Sequence, residues 1–155
     1  MTVVPPDEAG IRQWLEKAGM AHYLCGECHG IHLSAMQERE EVLDCRLFVE
    51  PEGVLLSTEV ELRPASLLLI QAELTRLNMA WPAIKVFVDL VDDTLPRLVI
   101  CQFLLTGAGT DERQFAHFVE TGLQATDTLV DECRDQGWLS QAVAELADSP
   151  TPHLH

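Results

Sequence analysis

The stretch Pro64–Asn78, PASLLLIQAELTRLN, decides the fold of this chain. Proline is tolerated in the first helical turn, where its missing N–H leaves no bond unmade, and it biases the preceding Arg63 towards extended backbone. A strand therefore ends near Arg63 and a helix begins at about Pro64. Leu67, Ile70, Leu74 and Leu77 recur at the three- and four-residue spacing of one helical face. Leu68, Leu69 and Ala72 widen that stripe, which predicts a helix covered on more than one side over its first two turns. At about 1.5–3 kcal/mol for each large apolar side chain fully buried, such a helix is expected to be a principal source of core stability.

Strand signals flank it on both sides. Leu43, Cys45, Leu47 and Val49 alternate with Asp44, Arg46, Phe48 and Glu50. Pro51-Glu52-Gly53 is a turn in which glycine is free to take a positive φ. Val54, Leu56, Thr58, Val60 and Leu62 then alternate with Leu55, Ser57, Glu59 and Glu61. Two period-two runs about a short turn predict an antiparallel hairpin with one buried face. Downstream, Trp81-Pro82 breaks the helical pattern and Ile84, Val86, Val88 and Leu90 alternate again. Asp92 to Pro96 is a turn, and Arg97 to Leu105 returns as an almost continuous apolar run, as expected of a central strand covered on both faces.

Helices precede and follow the strands. Asp7 caps a short helix to about Ala18, with Gly19 as its stop. Thr110 is the expected cap of the longest helix, about Asp111 to Arg134, whose stripe is Phe115, Phe118, Val119, Gly122, Thr126, Leu129 and Cys133. A last short helix is expected around Trp138 to Leu146. Between the first helix and the hairpin lie two short extended pieces joined by Gly26-Glu27, then a polar connection from Met36 to Glu41 read as solvated loop. Grouped strands with few crossovers predict an α+β fold: an antiparallel sheet packed by a central helix and a long C-terminal helix. Residues 1–147 are expected to form a single domain and 148–155 a mobile tail.

Composition narrows the function classes. Twenty-five acidic residues against ten basic ones give a formal charge of -15, which repels phosphate backbones and anionic membrane surfaces. The expectation is no nucleic-acid partner and no membrane partner. The start MTVVPPDEAG has neither a basic nor an apolar leader pattern, so a cytoplasmic location is expected. Five cysteines, an odd number, argue against a disulfide framework.

The chemistry-bearing cluster is Cys25-Gly26-Glu27-Cys28-His29. Its literal match to the C-x-x-C-H of haem attachment lacks an export signal, and no helix follows that would activate a thioredoxin-like thiol. Zinc would take Cys25 and Cys28, with His32 as the best third ligand and His29 the second. A fourth is missing from the local sequence; Cys45 or a second subunit would have to complete the set, and alternation puts Cys45 on a buried face. The expectation is therefore no stoichiometric metal or other cofactor, and two neighbouring cysteines able to form a disulfide on oxidation. Cys45, Cys101 and Cys133 all read as inert core thiols. Asp89, Asp92 and Asp93 read as strand and turn residues, and His117 lies beside the apolar stripe without a partner in sequence. No catalytic constellation emerges.

The chain resembles the YbjN family of bacterial proteins. The matching pieces are Gln13-Trp14-Leu15, Cys25-x-x-Cys28-x-x-x-His32-Leu33-x-x-Met36-Gln37 and Glu61-Leu62-Arg63-Pro64-Ala65. They continue through Lys85-Val86-Phe87-Val88-Asp89, Asp92-Asp93-x-Leu95-Pro96-x-Leu98-Val99-x-Cys101-Gln102 and Gln114-Phe115-x-x-Phe118-Val119. His29 matches no family position, which makes the haem-like reading incidental, and Phe103 stands where a small polar residue is more usual. The resemblance implies a type III secretion chaperone-like fold. It also implies a role as a sensory-transduction regulator touching motility, surface polysaccharide and stress responses, without a known enzymatic activity. It carries over no catalytic residue. The leading expectation is a non-enzymatic regulator that binds another protein; the alternative is a metal- or redox-responsive module centred on Cys25 and Cys28. A homodimer is expected through the close approach that Gly122 offers on the long helix.

Overall fold

The computed structural model describes residues 4–140 of the chain. Helix α1 (Glu8–Lys17) opens on Asp7, whose carboxylate accepts the Gly10 amide at 2.8 Å, and closes before Gly19 at φ 71°. Six strands follow: β1 (His22–Leu24), β2 (Ile31–Leu33), β3 (Val42–Val49), β4 (Gly53–Glu61), β5 (Lys85–Asp89) and β6 (Arg97–Leu105). They form one antiparallel sheet in the order β1-β2-β3-β4-β6-β5. A short helix α2 (Ser34–Gln37) joins β2 to β3, and α3 (Leu67–Ala80) joins β4 to β5. The last element among the described residues is α4 (Glu112–Asp135). No helix among the described residues is long and apolar enough to cross a membrane.

Register sorts the side chains into two faces. Cys45↔Thr58, Leu47↔Leu56, Val54↔Leu104, Val60↔Leu98 and Val86↔Ile100 put one set of neighbours beneath the helices. These residues share a core with Ile11 and Leu15 of α1, Ile70 and Leu77 of α3, and Phe115, Val119 and Leu129 of α4. The opposite face carries Tyr23, His32, Arg46, Phe48, Leu55, Phe87, Cys101 and Phe103, and no described helix covers it.

The weight of the core differs from the expectation. Of the Pro64–Asn78 stretch, Pro64–Ser66 is a 3₁₀ turn and only Ile70 and Leu77 are buried in α3. Leu68 and Leu69 are 81% and 57% exposed. The reason is placement: α3 meets the sheet chiefly at the edge strand β5, so one face is engaged and the rest meets water. Asn78 makes that junction, its carboxamide oxygen accepting the Val86 amide at 2.9 Å and its nitrogen donating to the Val86 carbonyl at 3.0 Å. The side chain thereby satisfies backbone groups that a strand edge leaves unpaired. It is α4 that lies over the sheet, against β4 and β6, with eight buried positions.

Several local expectations are corrected. The α4 cap is Asp111, whose carboxylate accepts the Gln114 amide at 2.7 Å; Thr110 instead bonds the Gln114 side chain. Strand β6 is interior to the sheet but covered on one face only, leaving Phe103 43% and Leu105 75% exposed. Cys101 falls on the open face and is half-buried rather than core. The Met36–Glu41 connection is not all solvated loop, since Met36 is buried and Arg39 and Glu41 are mostly covered in an ion-pair network. Trp138 to Ser140 do not start a helix: Trp138 and Leu139 are buried, and Leu139 bridges Leu62 antiparallel. The rest of that expected helix and the tail from residue 148 lie outside the described residues.

Two glycines sit at close approaches to the sheet. A side-chain carbon on Gly122 would fall 2.6 Å from the Gln102 carboxamide oxygen and 2.8 Å from Leu56, so this position serves the chain's own sheet and offers no approach point to a second copy. Gly53 is not among the positive-φ glycines. It is needed because the same carbon there would lie 2.3 Å from the Leu104 carbonyl oxygen. Backbone cannot swing aside as a side-chain tip can, so Gly53→Ala is expected to destabilise by about 1–3 kcal/mol. Urea unfolding checks this, and an unchanged midpoint would refute it.

Candidate functional site at the Cys25–His32 turn

Strands β1 and β2 pair through Leu24↔Ile31 and Tyr23↔His32, so residues 25–30 must reverse the chain between them. Gly26 supplies the turn at φ 79°. Reversal brings the Cys25 and Cys28 sulfurs to 3.3 Å, and puts Cys28 Sγ 3.4 Å from His32 Nε2. All three donor atoms lie within 4.8 Å of one another. His29 is exposed and outside the group, and Cys45 stays under the helices, accepting the Thr58 hydroxyl at 3.3 Å. Of the four candidate ligands, the structure joins Cys25, Cys28 and His32.

The imidazole is held on three sides. It is 6% exposed and stacks on Tyr23 with centroids 4.7 Å apart and planes 8° apart. Its Nδ1 lies 2.8 Å from the Gln37 carboxamide oxygen. That oxygen also accepts the Cys45 amide at 3.0 Å, while the Gln37 nitrogen donates to the Leu43 carbonyl at 3.3 Å. Both neighbours fix the orientation of the Gln37 amide, so the contact with His32 requires Nδ1–H as donor. The lone pair of Nε2 is then directed at the sulfurs. Burial opposes charge on His32, but hydrogen bonds to Gln37, Cys25 and Cys28 hold its pKa above the ordinary value.

The thiols differ sharply. Cys25 is exposed, and the Glu27 amide, then Cys28 and His32, lower its pKa to about 6. Burial pushes Cys45 up to about 11 and Cys133 up to about 12. A pair at 3.3 Å with one activated member can close a disulfide or share a soft cation. Sequence reasoning singled out the pair and placed His32 before His29; the structure brings His32, and not His29, to the sulfurs, and adds Gln37 and Tyr23, which that reasoning missed. Tyr23 was legible in principle, since pairing across β1 and β2 sets it opposite His32. Gln37 comes from the segment read as solvated loop.

The sequence pattern of YbjN, described as "Putative bacterial sensory transduction regulator", matches residues 7–135. "Uncharacterized protein YbjN" of Escherichia coli (strain K12) is 36% identical over 118 residues, covering 76% of this chain and 75% of the relative. The Shigella flexneri protein of that description matches to the same extent. The crystal structure of YbjN from E. coli, described as "a putative transcription regulator", superposes with a TM-score of 0.85 at 33% identity. It covers 89% of this chain and 98% of that one.

Proposed function

This chain belongs to the YbjN family, and from that premise we propose that it is a non-enzymatic cytoplasmic regulator that acts by binding another protein. One observation carries the reading: a face of the sheet that no described helix covers displays Phe87, Phe103 and Leu105 to solvent. Large apolar side chains left exposed along one sheet face are what a docking surface needs and a free-standing domain avoids. Charge selects the partner's chemistry. A chain of formal charge -15 attracts a net-basic protein, and its apolar strip fits an apolar or aromatic segment on that protein. The transcription-regulator description of the solved relative is compatible, because so acidic a chain reaches transcription through a protein rather than through phosphates.

The test is capture from a lysate of the source cell on immobilised protein, beside the double variant Phe87→Ser/Phe103→Ser. We expect a basic protein that the wild type retains, the variant loses and rising salt releases. Identical eluates from the two forms, or a metabolite or nucleic acid in place of a protein, would sink the reading.

A further inference from the structure

We propose that the chain binds one zinc ion through Cys25 Sγ, Cys28 Sγ and His32 Nε2, with the fourth coordination position open at the end of the uncovered sheet face. The spacing is already close to that of ligands about a common centre. Tetrahedral zinc, with Zn–S near 2.3 Å and Zn–N near 2.0–2.1 Å, sets sulfurs about 3.8 Å apart and sulfur from nitrogen about 3.5 Å apart. The chain has 3.3 Å and 3.4 Å, so the ion asks the sulfurs to part by a few tenths of an ångström. The exposed Cys25, beside the glycine turn, is free to move that far.

Orientation is the stronger observation. Metal-bound histidines characteristically donate their other ring N–H to a fixed acceptor, which sets the tautomer and aims the lone pair. Gln37 does this for His32, and its own amide is locked by Cys45 and Leu43. Tyr23 stacking holds the ring plane. An imidazole required merely to pack would not need its lone pair turned to two sulfurs.

Ligand type names the ion. Two thiolates and an imidazole suit a borderline-soft cation and disfavour magnesium, calcium and manganese. Binding displaces both thiol protons, and two thiolate charges balance the dication. The absent fourth ligand, which on sequence alone weighs against a metal, belongs to open sites, where three protein ligands leave one position for water or an incoming donor. Cys45 stays engaged with Thr58 on the other face and does not close the site.

Reduced, chelator-treated full-length protein is titrated with cobalt(II) and then with zinc(II). The expected result is thiolate-to-cobalt charge-transfer absorption that saturates at one equivalent per chain and is bleached by one equivalent of zinc. Cys28→Ser and His32→Ala should lose about a hundredfold or more in affinity, and Gln37→Leu about 10–100-fold. Cys101→Ser should bind as wild type. Because Cys28 is only partly buried in a turn, its variant is expected to keep the wild-type circular dichroism. Absence of the charge-transfer band at stoichiometric cobalt would overturn the proposal, as would its persistence in Cys28→Ser. So would reduced protein that takes up no metal while its air-oxidised form carries a Cys25–Cys28 disulfide.

Discussion

Phe115→Ala is expected to lower the free energy of unfolding by about 3–5 kcal/mol, the range for removing a buried aromatic ring from a close-packed core. Phe115 is almost fully buried near the start of α4 and meets Trp14 of α1 with ring centroids 5.6 Å apart. Its loss leaves a cavity in the core between α1 and α4. Leu68→Ala is the control. Leu68 is 81% exposed, and changes at such surface positions stay within about 0.5 kcal/mol. Urea unfolding of the two variants decides which helix organises the domain. Comparable losses would mean that Leu68 is covered in solution and that α3 holds the place the leucine run suggests.

That contrast marks where the sequence was legible. Elements with a strict period came through: the β3–β4 hairpin, the β5–β6 pair and the α4 stripe all lie where alternation or helical spacing places them. What could not be read was which side of an apolar element would be covered. Leu67-Leu68-Leu69 and the run ending in Phe103-Leu104-Leu105 look alike as continuous apolar stretches, yet each meets water on one side. Periodicity reports the faces of an element but not how many other elements reach them, and here every described helix packs on the same side of the sheet. The site divides similarly. Cys25 and Cys28 are three apart across a glycine, and a turn alone brings them together. Gln37 reaches His32 only because α2 folds back on the β2–β3 pair, a relation no local pattern encodes.

The same limit hid Arg39, whose substitution should have the second large effect. Its guanidinium joins the α2–β3 connection to α4: it meets Glu41 at 3.2 Å and Asp131 at 2.7 Å, and also binds Asp127. Arg134 closes the cluster on Glu41 at 3.4 Å and Asp131 at 3.2 Å. Arg39→Ala leaves three carboxylates facing one remaining cation in a chain already at -15. The Arg39 side chain is mostly covered, but its partners on α4 are half-exposed and screened by water. The expected loss is therefore about 2–3 kcal/mol, above that of an exposed pair and below that of a fully buried one. Acid should erase the difference. Hydrogen bonding from Arg39 holds the Glu41 and Asp131 carboxyls below their ordinary values. Groups depressed in the folded state bind fewer protons there than in the unfolded chain, so their contribution is complete above the unfolded pKa. It is lost as pH falls through the folded values. Urea unfolding of wild type and Arg39→Ala should show the full gap at pH 7, a narrowing gap below about pH 4.5, and a narrower one in high salt at either pH. A gap constant across pH and salt would mean that Arg39 acts through the packing of its stem, with its charge contributing nothing.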